Sequence, residues 1–79
     1  MLNYKYPVKI IDGIANIKGE ETHIHIYGND IEGFEAYVAY IENDIEVIVN
    51  NIIGTWQDIR ALIKELDPYG TEIEFTIFE

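Results

Sequence analysis

Two histidines separated by one residue, His23 and His25, are the side chains of this chain best suited to metal chemistry. In an extended segment, positions i and i+2 project from one face. Both imidazoles therefore point the same way, with the carboxylates of Glu20 and Glu21 close in sequence. Imidazole and carboxylate are the ligand types of zinc and related ions. Spacing alone fixes no third ligand, and histidines on the solvent side of a half-buried strand are common, so the expectation is a solvated pair and no metal. Other chemistries are closed by composition. The chain has no cysteine and no serine, which removes thiolate ligands, disulfides, and thiol or serine nucleophiles. Gly28 and Gly33 flank Asp30 and Glu32, whose charge repels a phosphate. Carboxylates are abundant, but a general acid and base need one carboxyl perturbed by burial or by a close partner. Here they occupy loop and outward strand positions, where they ionise normally. No catalytic residue, no cofactor and no enzymatic activity are expected.

The charge pattern says more. Fifteen Asp and Glu stand against five Lys and Arg, a formal charge of −10. Lys5, Lys9 and Lys18 make the first 18 residues net positive. Residues 19–59 then carry nine acids (Glu20, Glu21, Asp30, Glu32, Glu35, Glu42, Asp44, Glu46 and Asp58) and no base. Arg60 and Lys64 follow, and residues 65–79 add five acids without a base. A field of one sign repels nucleic acid and anionic membrane and attracts a basic protein surface. The pairs Asp44/Glu46 and Glu72/Glu74 are i and i+2, so on extended backbone each pair stands about 6.6 Å apart. Such rows are comparable with the spaced charges of a nucleic acid.

The elements that position these side chains follow from periodicity. Residues 4–11 alternate, with Tyr4, Tyr6, Val8 and Ile10 on one face, and Pro7 assigns this strand to an edge or an irregular start. Asp12-Gly13 reads as a tight turn, with a second strand over 14–18 and a third over 22–27. Residues 28–33 read as a loop. A two-residue turn at Asn43-Asp44 pairs Glu42 with Ile45, Tyr40 with Val47 and Val38 with Val49. Phe34, Ala36, Val38, Tyr40, Ile45, Val47 and Val49 then share one face, and Glu35, Tyr37, Ala39, Ile41, Glu46 and Ile48 the other. From Thr55 the period changes. Trp56, Ile59, Leu62, Ile63 and Leu66 form one helical stripe over 56–66, with Thr55 as cap, Asp58 in the first turn, and Pro68 and Gly70 ending it. Trp56 belongs to the core. Residues 71–78 alternate again, with Ile73, Phe75 and Ile77 inward.

The whole, residues 1–79, is predicted to be one small α+β domain of order βββββαβ. Its mostly antiparallel sheet has five to six strands, with the helix packed on one face. No segment reads as a membrane span or a signal-peptide core, which points to the cytoplasm. The outer face bears Tyr27, Tyr37, Ile41 and Ile48 among charges, a pattern suited to a protein contact. The expected partner-binding residues are Glu35, Tyr37, Asp44, Glu46, Glu72 and Glu74. In general character such a chain resembles phage or plasmid antagonists of host defence and toxin immunity proteins. The charge field and the carboxylate rows point to a non-enzymatic inhibitor that engages the basic site of a nucleic-acid-binding enzyme or a toxin, acting as a nucleic-acid mimic. The same field argues against direct binding of nucleic acid or membrane. The other reading is a module that self-associates, as a homodimer or larger assembly, through the outer sheet face or an open sheet edge.

Overall fold

Alternating apolar residues and tight two-residue turns build an antiparallel meander. The computed structural model describes residues 9–29 and 31–78. The chain runs β1 (Lys9–Ile17), β2 (Glu20–Asn29), β3 (Gly33–Glu42), β4 (Ile45–Gly54), α1 (Trp56–Leu66) and β5 (Glu74–Ile77). The strands form one open sheet in the order β4-β3-β2-β1-β5, and each neighbouring pair is antiparallel. The α+β class, the antiparallel sheet and the helix packed on one face are as predicted. The opening of the expected first strand, residues 4–8 with Pro7, lies outside the described residues.

The β1–β2 and β3–β4 hairpin turns use left-handed backbone, Lys18 and Gly19 at φ 53° and 83°, Asn43 and Asp44 at 52° and 63°. This geometry matches the twist of the strands it joins. The second turn falls where the sequence places it, and pairs Glu42 with Ile45 and Tyr40 with Val47. Farther along, the register shifts between Val38 and Ala39, and Val38 faces Asn50 instead of Val49. The extra residue makes a bulge. It leaves Val49 exposed and sets Ile52 opposite Ala36, where Ile52 packs on the core.

The turn expected at Asp12-Gly13 does not form; β1 runs through it, and the chain reverses at Lys18-Gly19. Gly13 serves close approach instead. A Cβ there would lie 3.0 Å from both Ile73 Cγ2 and a ring carbon of Phe75, so the bare backbone lets the Ile73 and Phe75 side chains lie across β1. The loop expected over 28–33 is also shorter, because β2 reaches Asn29, whose Oδ1 accepts hydrogen bonds from the N–H groups of Ile31 (2.9 Å) and Glu32 (2.7 Å).

The core joins Ile24, Ile26, Phe34, Ala36 and Val38 of the sheet to Ile59 and Leu62 of α1. Trp56 packs against it, its ring 5.2 Å from that of Phe34. Thr55 caps the helix: its hydroxyl accepts from the Asp58 N–H, and the Asp58 carboxylate accepts from the Thr55 N–H. One helix, about 10–12 Å across, cannot cover five strands spaced about 4.8 Å apart. Hence Phe75 and Ile77, predicted to face inward, stay 44% and 69% exposed, while Ile73 nearer the helix is half-buried.

Asp67 closes the crossing from α1 to β5. Its carboxylate accepts from the N–H groups of Thr71 (3.1 Å), Glu72 (3.0 Å) and Ile73 (3.0 Å). Burial works against its ionisation, but the N–H groups of Ile73, Glu72, Thr71 and Gly70 outweigh that and hold the carboxyl below its ordinary 3.8. A depressed folded-state value stabilises the fold above the unfolded value and ceases to do so as pH falls through the folded one. Asp67→Asn is therefore expected to melt below the native chain at neutral pH, with the gap closing below about pH 4. Thermal unfolding across pH checks this; a gap constant down to about pH 2 would contradict it.

Candidate functional site

The sheet face opposite α1 gathers the titratable side chains. His23, His25 and Tyr27 project there from β2, and Asp12 lies opposite His25 on β1. On the other side, β3 sets Ala39 opposite His23 and Tyr37 opposite His25, and β4 follows with Ile48 opposite Ala39 and Glu46 opposite Ile41. Ala39 is the small residue of this row. Glu46 lies on the strand beyond it and meets both imidazoles.

His25 Nε2 lies 2.9 and 3.1 Å from the two Glu46 carboxylate oxygens, and His25 Nδ1 lies 2.7 Å from Asp12 Oδ1. His23 Nδ1 is 3.6 Å from Glu46 Oε2, and its Nε2 is 2.9 Å from Glu21 Oε2. Each ring thus turns one nitrogen to the shared Glu46 and the other to a carboxylate of its own. The rings stand edge to face with centroids 6.2 Å apart. The cluster is half-sheltered, with side-chain exposure of 14% at His25 and 22% at His23. Burial opposes ionisation of Asp12, but the hydrogen bond with His25 and the Lys9 ammonium at 3.2 Å outweigh it and hold that carboxyl below its ordinary range. One ligand-capable atom from each of His23, His25 and Glu46 falls within a 4.8 Å group. The sequence supplies the first two by their spacing. The third requires the order β2-β3-β4, which local sequence does not show; spacing marks Glu46 only as an outward-facing acid.

The six expected partner-binding residues are not brought together as one surface. Glu35 and Tyr37 lie on the outer face but are buried, 3% and 6% exposed. The Tyr37 hydroxyl donates to Glu35 Oε2 at 3.0 Å, and Asn51 Nδ2 approaches the same oxygen at 3.4 Å. Tyr27, also buried, packs edge to face on Tyr37 with centroids 6.0 Å apart, and Ile48 joins them. These side chains are internal structure, not an exposed patch. Neither carboxylate row forms as expected. Asp44 sits in the turn with positive φ, and Glu72 precedes β5, so only Glu46 and Glu74 of the two pairs are strand residues.

A different convergence replaces the rows. The β1–β2 and β3–β4 turns lie at one end of the meander because the strands alternate in direction. The pairing of Ile14 with Glu74 starts β5 at that same end. Glu20, Glu21, Glu42, Asp44, Glu46, Glu72 and Glu74 are all exposed there, drawn from three stretches of chain. Glu21, Glu72 and Glu74 line one shallow groove with Ile14 and Asn16. Lys18 in the first turn and Lys64 in the last turn of α1 are the cations at this end among the described residues.

Comparison with protein-family models, with curated proteins and with solved structures finds no match. Among the described residues, no helix is long and apolar enough to cross a membrane.

If Glu35 and Tyr37 are structural, removing the hydroxyl that donates to a buried carboxylate should weaken the fold. Tyr37→Phe is expected to lower stability by about 1–3 kcal/mol, read as a lower midpoint in urea at unchanged slope. An unaltered midpoint would mean that the Tyr37–Glu35 hydrogen bond does not hold the fold.

Proposed function

We propose that this chain is a small, non-enzymatic binding protein of the cytoplasm whose acidic end engages a basic surface on another protein and blocks or modulates it. The partner class that fits is a nucleic-acid-binding enzyme or a toxin, whose cationic cleft accepts carboxylates in place of phosphates. What supports this reading is the gathering of seven exposed carboxylates at one end of a rigid sheet. An even coat of the same charge would serve solubility alone. Gathered charge raises the local potential, speeds encounter with an oppositely charged site, and repels nucleic acid itself. Antiparallel pairing fixes the two turns and the head of β5 relative to one another, so the carboxylates need little ordering on contact. Of the six residues singled out in the sequence, Asp44, Glu46, Glu72 and Glu74 belong to this end.

A second reading rests on the sheet edges. β4 and β5 are the outermost strands, and they carry exposed Ile45, Val47, Val49, Phe75 and Ile77. An apolar edge strand is a template for pairing with another chain. Self-association through an edge, rather than through the largely buried outer face, is the form of the assembly reading that these exposures favour.

The experiment is a pull-down on the immobilised chain at low and then raised salt, with duplex DNA as competitor, alongside light scattering. The expected outcome is capture of a basic protein that DNA displaces and salt releases, at least about tenfold less on an Asp44→Lys/Glu74→Lys variant that stays folded and monomeric. Equal capture by that variant would overturn the proposal. A concentration-dependent dimer that captures nothing would shift the assignment to edge-mediated assembly.

A further inference from the structure

An imidazole that turns each of its two nitrogens to a carboxylate can be satisfied in two ways. Either the imidazole donates from both nitrogens, or one nitrogen donates while the other gives its lone pair to a cation. His23 and His25 share this arrangement, and they share it around one carboxylate. At His25, Asp12 holds Nδ1 and leaves Nε2 facing Glu46; at His23, Glu21 holds Nε2 and leaves Nδ1 facing Glu46. Metal-ligating histidines characteristically donate their other ring N–H to a carboxylate, which sets the tautomer and the orientation of the ring. Here both do. From this geometry we infer that His23 Nδ1, His25 Nε2 and the Glu46 carboxylate form a binding site for one divalent first-row transition ion of the zinc type, with Asp12 and Glu21 as positioning residues.

The chemistry of the donors selects the ion. Two imidazoles and one carboxylate match zinc and its neighbours, whereas calcium and magnesium prefer all-oxygen sets. The ligand atoms fall within 4.8 Å of one another. An ion with bonds of about 2.0–2.2 Å needs ligand atoms roughly 3.3 Å apart in a tetrahedron, so small side-chain rotations bring them in. Glu46 is the ligand free to make them, its side chain being 39% exposed, while the rings are more sheltered and braced at their far nitrogens. The three protein ligands come from two non-adjacent strands, and Ala39, on the strand between them, is the small residue opposite His23. Three ligands leave one position of a tetrahedron for water or for a group from a partner. This site lies on the face opposite α1 and shares Glu21 and Glu46 with the acidic end, but its ligand set turns on the two histidines, which the docking proposal does not use.

The test titrates the full chain with Co²⁺ and then Zn²⁺ alone, following the visible absorption of cobalt and the ring-proton resonances of the two histidines. The chain contains two histidines, so both signals are assigned by single substitution. The expected result is one equivalent of ion, ligand-field bands that Zn²⁺ bleaches, and displacement of both histidine resonances. His23→Ala, His25→Ala and Glu46→Gln should each weaken binding at least about tenfold, and Asp12→Asn by about 10–100-fold with the cobalt bands retained. Glu65→Gln, which removes the same charge at an exposed helix position outside the cluster, should leave the affinity unchanged. Several weak equivalents matched by Mg²⁺, or histidine resonances that do not move in the native chain, would overturn the inference without reliance on any variant.

Discussion

The structure depends on β3 being buried on both faces. Six successive residues, Phe34 to Ala39, are out of solvent, and the strand pairs from Gly33 to Tyr40 with β2 on one side and from Phe34 to Glu42 with β4 on the other. Phe34, Ala36 and Val38 face the helix and make the core with Ile24, Ile26, Ile59 and Leu62. Glu35, Tyr37 and Ala39 face the other way. Burial there demands hydrogen-bond partners for every polar atom, which is why Tyr37 and Asn51 converge on the Glu35 carboxylate. Among the described residues, no buried side-chain nitrogen or oxygen lacks a partner.

The same strand makes the histidine–carboxylate cluster. It separates β2, which carries both imidazoles, from β4, which carries Glu46, and it places a small residue opposite His23. The meander then sets the β1–β2 and β3–β4 turns at one end, so charges distant in sequence share a surface. Local turn chemistry therefore has a long-range result: the left-handed residues at Lys18-Gly19 and Asn43-Asp44 decide where the carboxylates collect. The bulge at Val49 has a comparable effect on the opposite side, because it directs Ile52 into the core.

Much of this was legible in the sequence where two local signals agreed. The helix over 56–66 was marked by an apolar stripe and a capping residue, and the Asn43-Asp44 hairpin by turn chemistry and alternation. Where one signal stood alone, it misled. Asp12-Gly13 has the composition of a turn, but nothing local reveals that Phe75, more than sixty positions away, lies against Gly13. The bulge left no mark, since Val49 and Asn50 are both acceptable in a strand. Alternation sets Glu35 and Tyr37 on the correct face, but it reports the face and not what is buried on it. The cluster was half legible. His23-x-His25 was evident, while Asp12 and Glu46 join it only through the order in which strands pair, and pairing order is a non-local property of the chain.

The central claim is that β3 brings Glu46 of β4 into contact with His25 of β2. A double-mutant cycle on His25→Ala and Glu46→Ala, measured by urea unfolding without added metal, addresses that contact directly. The account predicts a coupling of at least about 0.5 kcal/mol, the double variant losing less stability than the two single losses together. Losses that add to within about 0.3 kcal/mol would mean that the two side chains do not meet, and that the cluster on the open face is not formed.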